Sequence, residues 1–74
     1  MIRYTYYEDG TTYVLTCIDY HNEQEQNGTN DMTIFMGDES FDSMENLITR
    51  VEAIVNATLP GHSILRMEGV IVPK

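Results

Sequence analysis

Residues 41–55, FDSMENLITRVEAIV, form the one segment of this chain in which hydrophobic period and end signals agree over several turns. Phe41, Met44, Leu47, Ile48, Val51, Ile54 and Val55 recur at steps of three and four, which places them on one stripe of an α-helix. Asp42 stands as the N-cap, and Glu45 three residues on completes a capping-box pattern. Asp38, Glu39, Asp42 and Glu45 together lie where the positive end of the helix dipole favours carboxylates. The helix is expected to end near Ala57 or Thr58, because Pro60 cannot continue it, disfavours helical backbone at Leu59, and is followed by a turn at Gly61.

Upstream of this helix the period changes from helical to strand-like. Residues 2–7 (IRYTYY) and 12–20 (TYVLTCIDY) are rich in β-branched and aromatic side chains. The intervening Glu8, Asp9, Gly10 and Thr11 carry the Asp-Gly signal of a tight hairpin. Ile2, Tyr4 and Tyr6 share one face of the first strand. In the second strand Val14, Thr16 and Ile18 oppose Tyr13, Leu15 and Cys17, so neither face is plainly polar. Residues 21–31 (HNEQEQNGTND) contain no apolar side chain and an Asn-Gly turn, and are expected to form a solvated, mobile loop or the drawn-out end of a hairpin. Residues 32–36 (MTIFM) read as the third strand, with Met32, Ile34 and Met36 on one side, ended by Gly37 and Asp38. Residues 63–72 (SILRMEGVIV) read as the last strand, in which Leu65, Met67 and Ile71 share a face and Gly69 marks a bulge or a close backbone approach. The expectation is one α+β domain over residues 1–74, β-β-β-α-β, with an antiparallel sheet of three to four strands and one helix packed on one face.

Composition narrows the chemistry. At 74 residues the chain approaches the lower limit for a single unassisted core, and its one cysteine, Cys17, excludes an internal disulfide. Cys17 lies in an apolar strand-like run and is read as a small buried hydrophobe. The N-terminus has no apolar core of signal-peptide length and no apolar run approaches the roughly 18 residues of a membrane span, so a cytoplasmic protein without membrane contact is expected. Twelve acidic against four basic residues give a net charge of −8, which argues against direct nucleic-acid binding, since phosphate contacts need Lys and Arg. A charged partner is then a basic one.

No residue cluster has the spacing of a catalytic or metal site. His21 and His62 have no second histidine or cysteine at ligand spacing, and Ser40, Ser43 and Ser63 lack a nucleophile-elbow context. The carboxylates at the helix start lie in a solvated position, which does not raise a pKa as acid/base catalysis requires. The reading is a non-enzymatic protein with no cofactor, no catalytic residue and no metal. What stands out is aromatic: Tyr4, Tyr6, Tyr7, Tyr13 and Tyr20 all fall in the first hairpin. A single helix covers one sheet face, so some of these rings are expected on the other, where tyrosine suits protein contact. The expected partner-binding residues are Tyr4, Tyr6, Tyr7 and Tyr13, with the carboxylates of Glu23, Glu25, Asp38, Glu39, Asp42 and Glu45 around them.

In its length and acidity, its β-β-β-α order, its Tyr7-Glu8-Asp9-Gly10 turn, its Phe41-Asp42-Ser43 helix opening and Leu59-Pro60-Gly61 after the helix, the chain resembles the small acidic inhibitors that phages encode against bacterial defence, in particular the type I-F anti-CRISPR proteins. The resemblance spans most of the chain and carries over no individual functional residue. It implies binding to a basic surface of a CRISPR effector subunit, with DNA recognition or nuclease recruitment blocked, in the cytoplasm of a bacterial host. The strand-rich start, helix and following strand also resemble HicB-type antitoxin domains of partial ribonuclease H-like fold, which implies a toxin as partner. A third alternative is a structural or assembly subunit that dimerises through its uncovered sheet face, so that both monomer and homodimer stay open.

Overall fold

The computed structural model describes residues 1–21, 32–59 and 66–74. In these, β1 (Ile2–Asp9), β2 (Thr12–Tyr20), β3 (Met32–Phe41), α1 (Met44–Thr58) and β4 (Met67–Ile71) follow one another in the chain. The strands form one sheet of order β3-β2-β1-β4. The architecture is α+β, as the alternation of periods requires. The pairs β1–β2 and β2–β3 are antiparallel, whereas β4 lies parallel to β1, so the sheet is mixed rather than wholly antiparallel. A chain leaving β3 through a helix must cross two strands to reach the free edge of β1, and the crossover delivers β4 in the parallel sense.

The β1–β2 hairpin closes where Asp-Gly places it. Asp9 pairs with Thr12 across a two-residue loop, and Gly10 has φ 62°, the positive φ that a II′ turn requires at its first central residue. The Thr12 hydroxyl donates to the Asp9 carbonyl at 2.7 Å and locks the turn.

Further along, the register shifts between Thr5 and Tyr6, where Cys17 and Leu15 face successive β1 residues and Thr16 is the extra one. This bulge explains why β2 shows no clean alternation. It moves Ile18 onto the face of Leu15 and sends Cys17 to the opposite one. The Thr16 hydroxyl donates to the Thr5 carbonyl at 3.1 Å, satisfying an acceptor beside the broken ladder. Directly opposite residues share a face. Ile2, Tyr4, Tyr6, Tyr13, Leu15, Ile18 and Tyr20 therefore occupy the helix side, and Arg3, Thr5, Tyr7, Val14, Cys17 and Asp19 the outer side.

The third strand is longer than its apolar run. It continues through Gly37 and Asp38 to Phe41, which pairs with Tyr13. A second irregularity between Ile18 and Asp19 breaks its alternation as well: Phe35 faces Ile18 on the helix side, Ile34 also packs on the core, and Met32 and Met36 lie on opposite faces, opposite Tyr20 and Cys17.

The helix consequently starts at Met44, and its N-cap is Ser43, not Asp42. Ser43 is extended, and its Oγ accepts the Asn46 N–H at 3.1 Å. With Ser43 as cap, Glu45 falls inside the first turn rather than at the capping-box position, and Asn46 takes that place. Phe41 is freed to serve as a strand residue. The helix ends at Thr58, where the Leu59 N–H donates to the Val55 carbonyl at 2.7 Å.

Leu47, Val51 and Val55 are the buried stripe of α1, packed with Ile2, Tyr4, Leu15 and Ile18, while Met44, Ile48 and Ile54 flank them. Burying each of the large side chains contributes about 1.5–3 kcal/mol. Arg50 bridges helix to sheet, with Nε and Nη2 donating to the two oxygens of Glu39 at 3.0 and 3.4 Å.

The last strand runs from Met67 to Ile71, and the expected residues 63–65 of it lie outside the described residues. The turn at Pro60 and Gly61 and the loop over residues 22–31 lie outside them too. Gly69 does meet a close approach. A Cβ there would stand 2.7 Å from both Cζ and the hydroxyl oxygen of Tyr4, whose ring lies across the glycine.

Candidate protein-binding site: an aromatic row beside the helix start

Tyr4 and Tyr6 are alternate residues of β1 and point to the same side of the sheet. Their rings stack with centroids 6.1 Å apart. Tyr6 in turn meets Tyr13 of β2 at 6.4 Å in a tilted arrangement, and Tyr13 faces Phe41 at the end of β3. The result is a row of rings running across the helix side of the sheet, from the β1–β4 pair to the start of α1.

The ends of the row differ. Tyr4 is 8% exposed and belongs to the core. Burial first, and the neighbouring Tyr6 second, push its hydroxyl pKa up. It cannot offer a contact surface, and its role is to fill the space over Gly69. Tyr6, Tyr13 and Phe41 are half-buried: one edge packs on the core while the other stays accessible. Aromatic rings held in this way present a large area with little rotamer entropy left to lose, which is what a protein-contact surface needs.

The expectation that some of the tyrosines lie on the uncovered face therefore applies to one of them only. Tyr7 is on the outer side, opposite Val14. Tyr20, opposite Ile2, lies on the helix side with the others.

The carboxylates divide as well. Glu8 is exposed and faces Tyr13 across the strands. Asp42 and Glu45 are exposed immediately after Phe41. Asp38 is exposed on β3. Glu39 is engaged by Arg50 and is not a free acidic contact. Glu23 and Glu25 lie outside the described residues.

Of the cations, Arg3 pairs with Glu68 at 3.8 Å, Arg50 with Glu39 at 3.0 Å and Lys74 with Asp9 at 2.6 Å. Among the described residues, Glu8, Asp19, Asp38, Asp42, Glu45 and Glu52 are thus left outside any ion pair, and Glu8, Asp42 and Glu45 make the end of the molecule carrying the aromatic row acidic.

Two members of this surface escape a reading of the residue pattern alone. Phe41 is disguised by the helical period it shares with Met44 and Leu47, and Glu8 by its place beside the turn. Ser43, three residues before Asn46, is the signal that would have released Phe41 from the helix.

Among the described residues no group of three His, Cys, Asp or Glu side chains could hold a metal ion. Cys17 donates to the Asp19 carboxylate at 3.4 Å. Its burial, and then that hydrogen bond and charge, push the thiol pKa up, away from the nucleophilic thiolate. No helix among the described residues is long and apolar enough to cross a membrane. No known protein family, curated protein or solved structure matches the chain.

Proposed function

We propose that this protein is a non-enzymatic inhibitor that binds a basic protein surface in the cytoplasm, of the kind anti-CRISPR proteins make with a CRISPR effector subunit, blocking DNA recognition or nuclease recruitment. The supporting observation is the juxtaposition of Tyr6, Tyr13 and Phe41 with the unpaired carboxylates of Glu8, Asp42 and Glu45 on one end of the helix side. Aromatic anchors supply buried area, and a rim of like charge selects and steers a partner of opposite sign. A surface that normally holds nucleic acid has the required cations. The contact set is thereby narrowed from that expected of the sequence: Tyr4 and Glu39 are committed internally, and Tyr7 lies on the other face.

The alternative of a toxin-binding antitoxin is favoured by one observation, the β-β-β-α-β order in which the helix returns the fourth strand to the sheet. Both readings share the same surface and differ in the partner.

The test is capture of purified CRISPR surveillance complex and, separately, of a basic ribonuclease toxin on the immobilised protein, over a salt series. Binding of one of them is expected, with affinity falling roughly tenfold or more as salt screens the exposed charges. Tyr6→Ala and Tyr13→Ala should weaken that binding and Tyr7→Ala should not. Salt-insensitive binding, or loss through Tyr7 alone, would overturn the assignment of the surface.

A further inference from the structure

We propose that β4 is a dimer edge, at which two copies of this chain pair their β4 strands antiparallel about a two-fold axis at Gly69 and so join two four-stranded sheets into one.

The β1–β4 ladder shows which backbone groups remain open. The Ile2 N–H donates to the Arg66 carbonyl at 2.8 Å, and the Val72 N–H donates to the Tyr6 carbonyl at 2.9 Å. In a parallel ladder the residues that bond a neighbour alternate along the strand, so Arg66, Glu68, Val70 and Val72 face β1, and Met67, Gly69 and Ile71 direct their N–H and C=O groups outward. Among the described residues nothing pairs with that side of β4. Gly69 is central to the open edge. Pairing Gly69 with Gly69 of a second copy sets Met67 opposite Ile71 in both directions, and every outward donor then meets an outward acceptor.

Side chains agree with this register. Ile71 is 55% exposed, one of the large apolar residues most open to solvent, while Met67 is half-buried against the core. Cross-strand contact with Met67 of the second copy covers Ile71. Pro73, the next outward position, has no N–H and ends the edge.

Charge at this edge admits a second copy of this same chain. In a protein of net charge −8, residues 66–74 carry Arg66 and Lys74 against the single carboxylate of Glu68. Glu68 is itself engaged by Arg3 at 3.8 Å. With Arg3 held by Glu68 and Lys74 by Asp9 at 2.6 Å, the edge carries little net charge beyond Arg66, and two otherwise repelling acidic molecules can meet there.

The opposite edge is guarded. Strand β3 has two register shifts against β2 and carries Asp38 and Glu39, both of which discourage strand addition. A two-fold contact at β4 is closed, so only the guarded β3 edge of each copy remains and the sheet does not propagate.

Sedimentation of the full chain from about 10 μM to about 1 mM, the range suited to a small edge contact, should show mass rising from monomer to dimer. Over the same range, amide exchange at Met67, Gly69 and Ile71 should become slower. Ile71→Pro removes an outward donor without touching the β1 ladder, and Ile71→Lys places a charge on the edge. Each should weaken dimerisation by roughly tenfold or more while circular dichroism stays unchanged, and Met36→Lys on β3 should have no effect. A monomer at every concentration, or a dimer that survives the folded Ile71 variants, overturns the proposal. So does a dimer that Met36→Lys dissolves.

Discussion

Replacing Gly69 by alanine tests the packing between β1 and β4 through one methyl group. The added Cβ would meet Tyr4 at Cζ and Oη, both 2.7 Å away, and at Cε2, 2.8 Å away. Carbon atoms in ordinary contact sit about 3.5–4.0 Å apart, so the ring would have to retreat by about 0.8 Å or more. It has little room: Tyr4 is 8% exposed and stacks on Tyr6 with centroids 6.1 Å apart. Overpacking of this kind costs about 1–3 kcal/mol. Alanine offsets about 0.5–1 kcal/mol of it by restricting the unfolded chain. The balance is a net loss of about 1–2 kcal/mol, which in a domain of this size lowers Tm by about 5–15 °C.

Thermal and urea denaturation followed by far-UV circular dichroism, at one dilute concentration, give the measurement. The control is a double-mutant cycle with Tyr4→Leu, which removes the ring and the clash together. In that background Gly69→Ala should be neutral or mildly stabilising, a coupling of about 1 kcal/mol or more. If Gly69→Ala is neutral in the unmodified chain, or costs the same with and without the Tyr4 ring, the reasoning fails.

The helix start and the thiol supply further tests. Ser43→Ala should lose about 1 kcal/mol of stability as an N-cap deletion does, while Asp42→Ala should stay within about 0.5 kcal/mol; the reverse order in a urea titration would restore Asp42 as the cap. For Cys17, whose folded pKa is raised by burial and then by Asp19, the folded state holds the proton more tightly than the unfolded chain. Its contribution to stability is complete below the ordinary thiol pKa and is lost as pH rises through the raised one. Alkylation of the native protein should keep accelerating at pH values where a free cysteine has levelled off, and Asp19→Asn should move that profile to lower pH; an unshifted profile would remove the Asp19 contact.

The helix and the hairpin were legible because each depends on local interactions. A three-and-four spacing from Met44 to Val55, a stop before Pro60 and an Asp-Gly turn are short-range signals that neighbouring residues enforce. Faces of strands are different. The period of two predicts them only while the ladder is regular, and the extra residue at Thr16 inverts the faces of everything beyond it. Cys17 and Ile18 exchanged sides for that reason, and Ile34 joined Phe35 against the core through the second irregularity. Phe41 fits a helical stripe and a strand equally well by spacing. Ser43 settles the matter by accepting the Asn46 N–H, which sets the helix boundary one residue later than an Asp42 cap would. The candidate site was legible as a set of residue types, five tyrosines in one hairpin within an acidic chain. Which rings remain available depended on Tyr4 lying over Gly69, a contact between residues 65 positions apart in the chain.

Residue order alone carries the α+β class, the β-β-β-α-β succession, the acidity and the absence of an internal disulfide, because these follow from composition and from interactions a few residues long. Tertiary structure adds the parallel placement of β4 beside β1, the burial of Tyr4, the capture of Glu39 by Arg50 and the open edge centred on Gly69. Each of these joins residues far apart in the chain. Their pairing is chosen by how the sheet closes over one core, and no local period or cap records that choice.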